Sequence, residues 1–194
     1  MSYKEEFLNI FDNIKRDGAE KLKKYLLASD FFTAPASTKF HCAYEGGLVE
    51  HSVKVYNRLV NNLKAEYGDN WQNVVSLESA TICSLLHDLC KIDFYKIDYR
   101  NVKENNEWVK KPFYTKDELL PYGHGEKSVY IISGFIKLTR EEAIAINWHM
   151  GGFDSRCKGG DNSISEAFNL FPLAVLLHTS DLQATYLDEK RGIN

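Results

Sequence analysis

The run ATICSLLHDL, residues 80–89, is apolar almost throughout, yet it ends with a histidine and an aspartate side by side. An apolar stretch of this kind, apolar nearly all round from Ala80, reads as a central buried helix spanning Val74 to Cys90. An ionised carboxylate in such surroundings loses its hydration and is costly unless paired. Asp88 would also sit at the C-terminal end of that helix, where the macrodipole disfavours negative charge. Positive charge must therefore reach Asp88 from elsewhere.

The run LAVLLHTSDL, residues 173–182, repeats the problem, with Asp181 set in another helix suited to burial. Two helices thus each carry a carboxylate inward, each with a histidine close by. The chain has six histidines, His41, His51, His87, His124, His149 and His178, and each falls at a helix terminus or in a core-facing run. A divalent cation shared by carboxylates and imidazoles removes both costs at once. That mixture of donors suits manganese, iron, zinc, cobalt or nickel better than calcium. The plainer reading of a lone histidine or aspartate is a satisfied core residue or an ion-pair partner, and it holds for His178 or His41 taken singly. Applied to His51, His87, Asp88 and Asp181 together, it needs several independent costly burials.

The remaining pattern is helical. Phe7, Ile10, Phe11, Ile14, Leu22, Tyr25 and Leu26 recur at helical spacing. HCAYEGG, residues 41–47, reads as a loop, and an amphipathic helix runs from Leu48 to about Tyr67. Between Lys91 and Pro121, aromatic and β-branched residues alternate with charges about KENNE, which predicts a β-hairpin insertion at about 92–120. Helices follow over Glu126–Ile136 and Thr139–His149, the latter N-capped by Thr139. GGFDSRCKGGDNS reads as a glycine-rich loop, and a last helix starts at Phe171-Pro172 and runs to about Asp188. The expectation is a single all-α domain over 1–194, a bundle of six or seven helices carrying one hairpin. Its parts are an N-terminal helical segment, 1–40, and a metal-binding core, 41–190.

Composition excludes several classes. The net charge of −3 gives no basic footprint, so extended nucleic-acid binding is not expected. No apolar run approaches the roughly 20 residues of a membrane span. Cys42, Cys83, Cys90 and Cys157 form no CxxC pair and read as reduced thiols, which points to the cytoplasm. No GxSxG, CxxxxxR or P-loop pattern occurs, so water activated by a metal is the expected nucleophile.

GGLVEHS around His51, LLHDLCK around His87-Asp88 and LHTSDLQAT around Asp181 together resemble the HD-domain superfamily of metal-dependent phosphohydrolases, which is named for its His-Asp pair. The likeness extends from about His41 to Leu187 and is greatest to the HD domain of bacterial 3'-to-5' exoribonucleases. It implies an HD-domain helical bundle in which His51, His87, Asp88 and Asp181 bind a first metal. It further implies that His124 and His149 serve a second, with Asp88 bridging. Cys90 stands where glycine is usual, and Met150 follows His149 where many two-metal members have a second histidine.

In this reading Asp88 is a ligand that orients the attacking water. Lys91 stabilises charge on the transferring phosphoryl group, the alternative being a lysine that meets a helix C-terminus. His124 is a ligand or a proton donor to the leaving group. His41 and Tyr44 line the pocket mouth, and Arg156 and Lys158 lie in a loop able to close over an anionic substrate. The expected substrate is a small phosphorylated molecule, a nucleotide or a short oligonucleotide end. The alternatives are an exoribonuclease-like nuclease and a non-catalytic nucleotide-binding module. The sequence leaves the oligomeric state open.

Overall fold

The structure, a computed structural model, describes residues 1–189; the expected core limit at 190 and the chain onward to 194 lie outside it. Nine α-helices and one two-stranded sheet are present among the described residues. Helix α1 (Tyr3–Phe11) begins at a reciprocal cap, in which Ser2 Oγ accepts from the Glu5 amide and Glu5 accepts from the Ser2 amide. Helix α2 spans Ala19–Ala28 and α3 Gly47–Tyr67. Only glycine fits at Gly47, where a Cβ would stand 2.0 Å from the Cys42 carbonyl oxygen. That close approach presses the 41–46 loop onto the start of α3.

Helix α4 is shorter than the apolar pattern predicts, spanning Leu77–Leu86 with Ser76 as N-cap. His87 closes it, and Asp88 departs from helical backbone (φ −103°, ψ 21°) before a 3-10 turn, Leu89–Lys91. The departure frees Asp88 from the helix face while leaving it at the C-terminal end of α4, where Lys91 Nζ meets it at 2.6 Å. The hairpin comprises β1 (Tyr95–Glu104) and β2 (Glu107–Lys116), antiparallel, with Glu104 opposite Glu107. Asn105 and Asn106 both have positive φ, 49° and 66°, the signature of a two-residue turn that matches strand twist.

Helix α5 spans His124–Ser133 and α6 Arg140–Asn147, the latter with the Thr139–Glu142 capping box. The segment 151–163 is more ordered than a plain loop: a 3-10 turn, Gly151–Phe153, precedes the short α7 (Ser155–Lys158). Helix α8 (Ser163–Leu170) has no counterpart in the sequence expectation. Helix α9 covers Pro172–Gln183 and widens into a π turn over Ala184–Asp188.

The chain is thus mostly helical with one hairpin, rather than all-α with six or seven helices. The helices share one core. Leu22 and Leu26 of α2, Leu48, Leu59 and Leu63 of α3, Ile82, Leu85 and Leu86 of α4, and Leu173 and Leu177 of α9 are all essentially inaccessible. Phe7 of α1 packs on Phe31 and Phe32 at 5.0 and 5.4 Å between ring centroids, so the N-terminal segment belongs to the same core. Cutting Ile82 to alanine at its centre costs about 2–5 kcal/mol. No helix among the described residues is long and apolar enough to cross a membrane.

Candidate metal centre

The four expected first-metal ligands meet. His51 comes from the first turns of α3, His87 and Asp88 from the end of α4, and Asp181 from α9. His51 Nε2 stands 3.2 Å from His87 Nε2, 3.4 Å from Asp88 Oδ2 and 3.3 Å from Asp181 Oδ1. His87 Nε2 is 3.5 Å from the same Asp88 oxygen. Donors that share one tetrahedral ion at about 2.0–2.1 Å stand roughly 3.3–3.4 Å apart. These four separations are close to that spacing, and Asp88 Oδ2 also holds Lys91 Nζ at 2.6 Å.

The far side of each ring fixes its orientation. His87 Nδ1 donates to the Ser84 carbonyl at 2.8 Å and His149 Nδ1 to the Ile146 carbonyl at 2.6 Å. A carbonyl can only accept, so in both rings a neutral imidazole leaves its Nε2 lone pair facing inward. His149 is wholly buried, and its Nε2 has no hydrogen-bond partner among the described residues. Such an orphaned acceptor costs about 1–3 kcal/mol and calls for a partner. It lies 3.5 Å from Asp88 Oδ1, which also receives His124 Nε2 at 2.8 Å. Asp88 thus turns one oxygen to the His51–His87 pair and the other to His124 and His149. Cys90 Sγ sits 3.4 and 3.5 Å from the two ring nitrogens of His124 and adds a thiol on that side.

Charge is distributed unequally over the cluster. Burial alone would neutralise Asp88. Lys91 Nζ, 2.6 Å from its Oδ2, and the hydrogen bond from His124 instead hold its carboxyl well below the usual range. Lys91 is itself buried, yet Asp88 keeps its ammonium charged, with the pKa raised. Burial depresses His87 to about 3, outweighing the opposing pull of the Asp88 and Asp181 carboxylates. Burial would lower His51 too, but Glu189 and Asp181, one at each nitrogen, raise it to about 10. Together with Lys91, His51 thereby supplies positive charge at the point where the carboxylates converge.

Glu189 is a member of the candidate centre that the sequence reading missed. Its side chain is fully buried and bridges His51 Nδ1 at 2.7 Å and His41 Nδ1 at 2.5 Å. Nothing in LDEK distinguishes this glutamate from a solvated one. The π turn after α9 delivers it, and Arg58 and Lys54 of α3 hold that turn through the Asp188 carboxylate and carbonyl. Single-turn π bulges of this kind recur at functional sites.

The outer candidates divide. His41 is half-buried beside His51, with 5.0 Å between ring centroids, so it adjoins the centre without facing the first-metal donors directly. Tyr44 is exposed, and its hydroxyl donates to Cys42 Sγ at 3.4 Å. Arg156 is not open to a substrate: its guanidinium binds Asp154 and Glu126, each at 2.9 Å, and lies 4.0 Å from the Trp148 ring centroid. It fastens α7 to α5 and α6. Lys158 is exposed at the far end of α7 and has no ion pair among the described residues.

No family model, curated protein or solved structure matches the chain. What the residues hold together is therefore the whole basis for a functional reading: buried His, Asp and Cys groups able to bind a metal ion.

Proposed function

We propose that the protein is a metal-dependent phosphohydrolase of the HD-domain superfamily that cleaves a phosphoester of a nucleotide or short oligonucleotide. The observation that carries this reading is that His51 Nε2 lies 3.2–3.4 Å from donor atoms of His87, Asp88 and Asp181, with His87 Nε2 3.5 Å from Asp88. These four residues would hold a divalent transition metal, manganese, iron, zinc, cobalt or nickel, while His124 and His149 face a second position across Asp88. When bound, such an ion polarises a phosphoryl oxygen and brings the pKa of water toward neutrality.

The protein's own groups complete the chemistry. Lys91 Nζ keeps Asp88 ionised and sets a fixed positive charge where a phosphoryl oxygen would lie, which favours the charge that develops in transfer. His124 Nε2, on Asp88 Oδ1, can carry a proton for a leaving oxygen. Glu189 fixes the ring of His51, and the Ser84 and Ile146 carbonyls fix those of His87 and His149, so no reorientation is needed at the moment of reaction. The plain test is a panel of nucleoside monophosphates, cyclic nucleotides and a generic phosphodiester, assayed with each metal in turn. Metal-dependent turnover that Asp88→Ala abolishes supports the proposal. A protein that binds metal stoichiometrically yet turns over no phosphoester refutes it.

A further inference from the structure

Beside the metal centre, the hairpin and residues 38–43 enclose a groove of about 800 Å³, within the usual size range of ligand sites. Its charged lining residues are Lys39, Arg100 and Lys116, with no carboxylate among them. None of the three forms an ion pair among the described residues. Each lies over an aromatic ring instead: Lys39 over Phe40 at 5.3 Å, Arg100 over Phe113 at 5.4 Å and Lys116 over Phe94 at 5.8 Å. Phe113 and Tyr114 also line the groove. Across residues 95–116 six Lys/Arg stand against three Asp/Glu, a local +3 in a chain of net −3. Positive charge is therefore concentrated on the hairpin while the rest of the surface is acidic.

The groove and the metal centre share a wall. The loop that bears Lys39 is closed by Ala36 N to Cys42 O at 3.0 Å and Ser37 Oγ to His41 O at 2.7 Å. His41, on the same loop, reaches Glu189 and through it His51. Tyr95, at the base of the hairpin, donates its hydroxyl to the Ala36 carbonyl at 3.2 Å. An anion held along the groove thus lies against the loop that borders the centre.

We infer that this groove binds a single-stranded oligonucleotide, with Lys39, Arg100 and Lys116 meeting phosphates and Phe113 and Tyr114 stacking bases. Cations without carboxylate partners, interleaved with aromatic rings, are the composition that single strands require, since every base has a face to stack and every linkage a charge. The further step, that the bound strand presents its end for hydrolysis, rests on the phosphohydrolase proposal; the binding does not. Fluorescence anisotropy of a labelled single-stranded hexanucleotide, with chelator present to prevent turnover, tests binding alone. The full chain is expected to bind, and the Lys39→Ala, Arg100→Ala, Lys116→Ala triple variant to bind at least about tenfold more weakly. Its plot of log affinity against log salt should be shallower by roughly 2, about 0.7 for each phosphate no longer neutralised. Phe113→Ala should weaken binding and leave that slope unchanged. Circular dichroism and metal content of each variant check that the bundle is intact, and Arg100→Glu repeats the test with one change. Four results each overturn the inference: no binding, full binding by the triple variant, equal competition by a mononucleotide, or equal competition by a polyglutamate peptide. A chain that binds the strand but hydrolyses nothing when metal is restored keeps this inference and loses the phosphohydrolase one.

Discussion

Asp88 and Lys91 are bonded at 2.6 Å and both are buried, so removing one leaves the other's charge without its partner. In Asp88→Ala, studied with chelator present, the Lys91 ammonium keeps its desolvation and loses its carboxylate. Its worst recourse is to become neutral at pH 7. From an unperturbed pKa near 10.4, that costs roughly 3.4 units at 1.36 kcal/mol each, or about 4.6 kcal/mol. Breaking buried pairs in general costs about 3–5 kcal/mol. For a domain of this size each 1 kcal/mol lowers Tm by about 2–4 °C, so Asp88→Ala should melt roughly 6–20 °C below the parent. The penalty belongs to the stranded ammonium, so Lys91→Met in the same chain should restore most of it. Chemical and thermal denaturation of the two single variants and the double variant measures this coupling. If Asp88→Ala melts with the parent, or if the double variant is no more stable than the single, Asp88 is not the counter-ion of Lys91 and the electrostatic account is wrong.

Three further outcomes follow from neighbouring parts of the molecule. Glu189→Gln should weaken metal binding about 10–100-fold, the usual effect of losing an outer-shell carboxylate, as read by competition with a chromogenic chelator; unchanged affinity would remove Glu189 from the site. Gly151→Ala should destabilise by about 1–3 kcal/mol, because φ is +56° and a Cβ would stand 2.3 Å from the His178 ring, which itself donates to the His149 carbonyl at 2.6 Å; a neutral result in urea denaturation would contradict this. Glu142 is buried, which opposes its charge, yet two hydrogen bonds from Arg16, each 2.6 Å, lower its pKa below the ordinary value. A carboxyl depressed in the folded state contributes stability above its unfolded pKa of about 4.3 and loses it as pH falls through the folded value. Part of the acid instability should therefore vanish in a Glu142→Gln, Arg16→Met double variant followed by circular dichroism, and an unchanged acid transition would refute that assignment.

Much of this arrangement was legible in the sequence because it rested on strong local patterns. Helix α3 begins at Gly47, one residue before the expected Leu48, since its amphipathic ridges are long and Gly46 precedes it. Thr139 caps α6, and the alternation on either side of KENNE gives the hairpin. The end of α4 was less legible: a run apolar on every side carries no period, so nothing marks where Leu86 gives way to the turn that frees Asp88. Helix α8 was hidden by the glycines before it. Arg156 read as a loop cation because its partners Glu126 and Asn147 lie on other elements, and such pairings leave no local trace. Glu189 was missed for the same reason, together with the π turn that delivers it. The candidate ligands stood out by their own chemistry, whereas the groups that orient them come from distant parts of the chain.

The most direct test of the central claim is anomalous diffraction from crystals of the protein grown with cobalt or zinc. The account predicts a peak within about 2.0–2.2 Å of His51 Nε2, His87 Nε2, Asp88 Oδ2 and Asp181 Oδ1 together. A peak elsewhere, or none at stoichiometric metal, would contradict it.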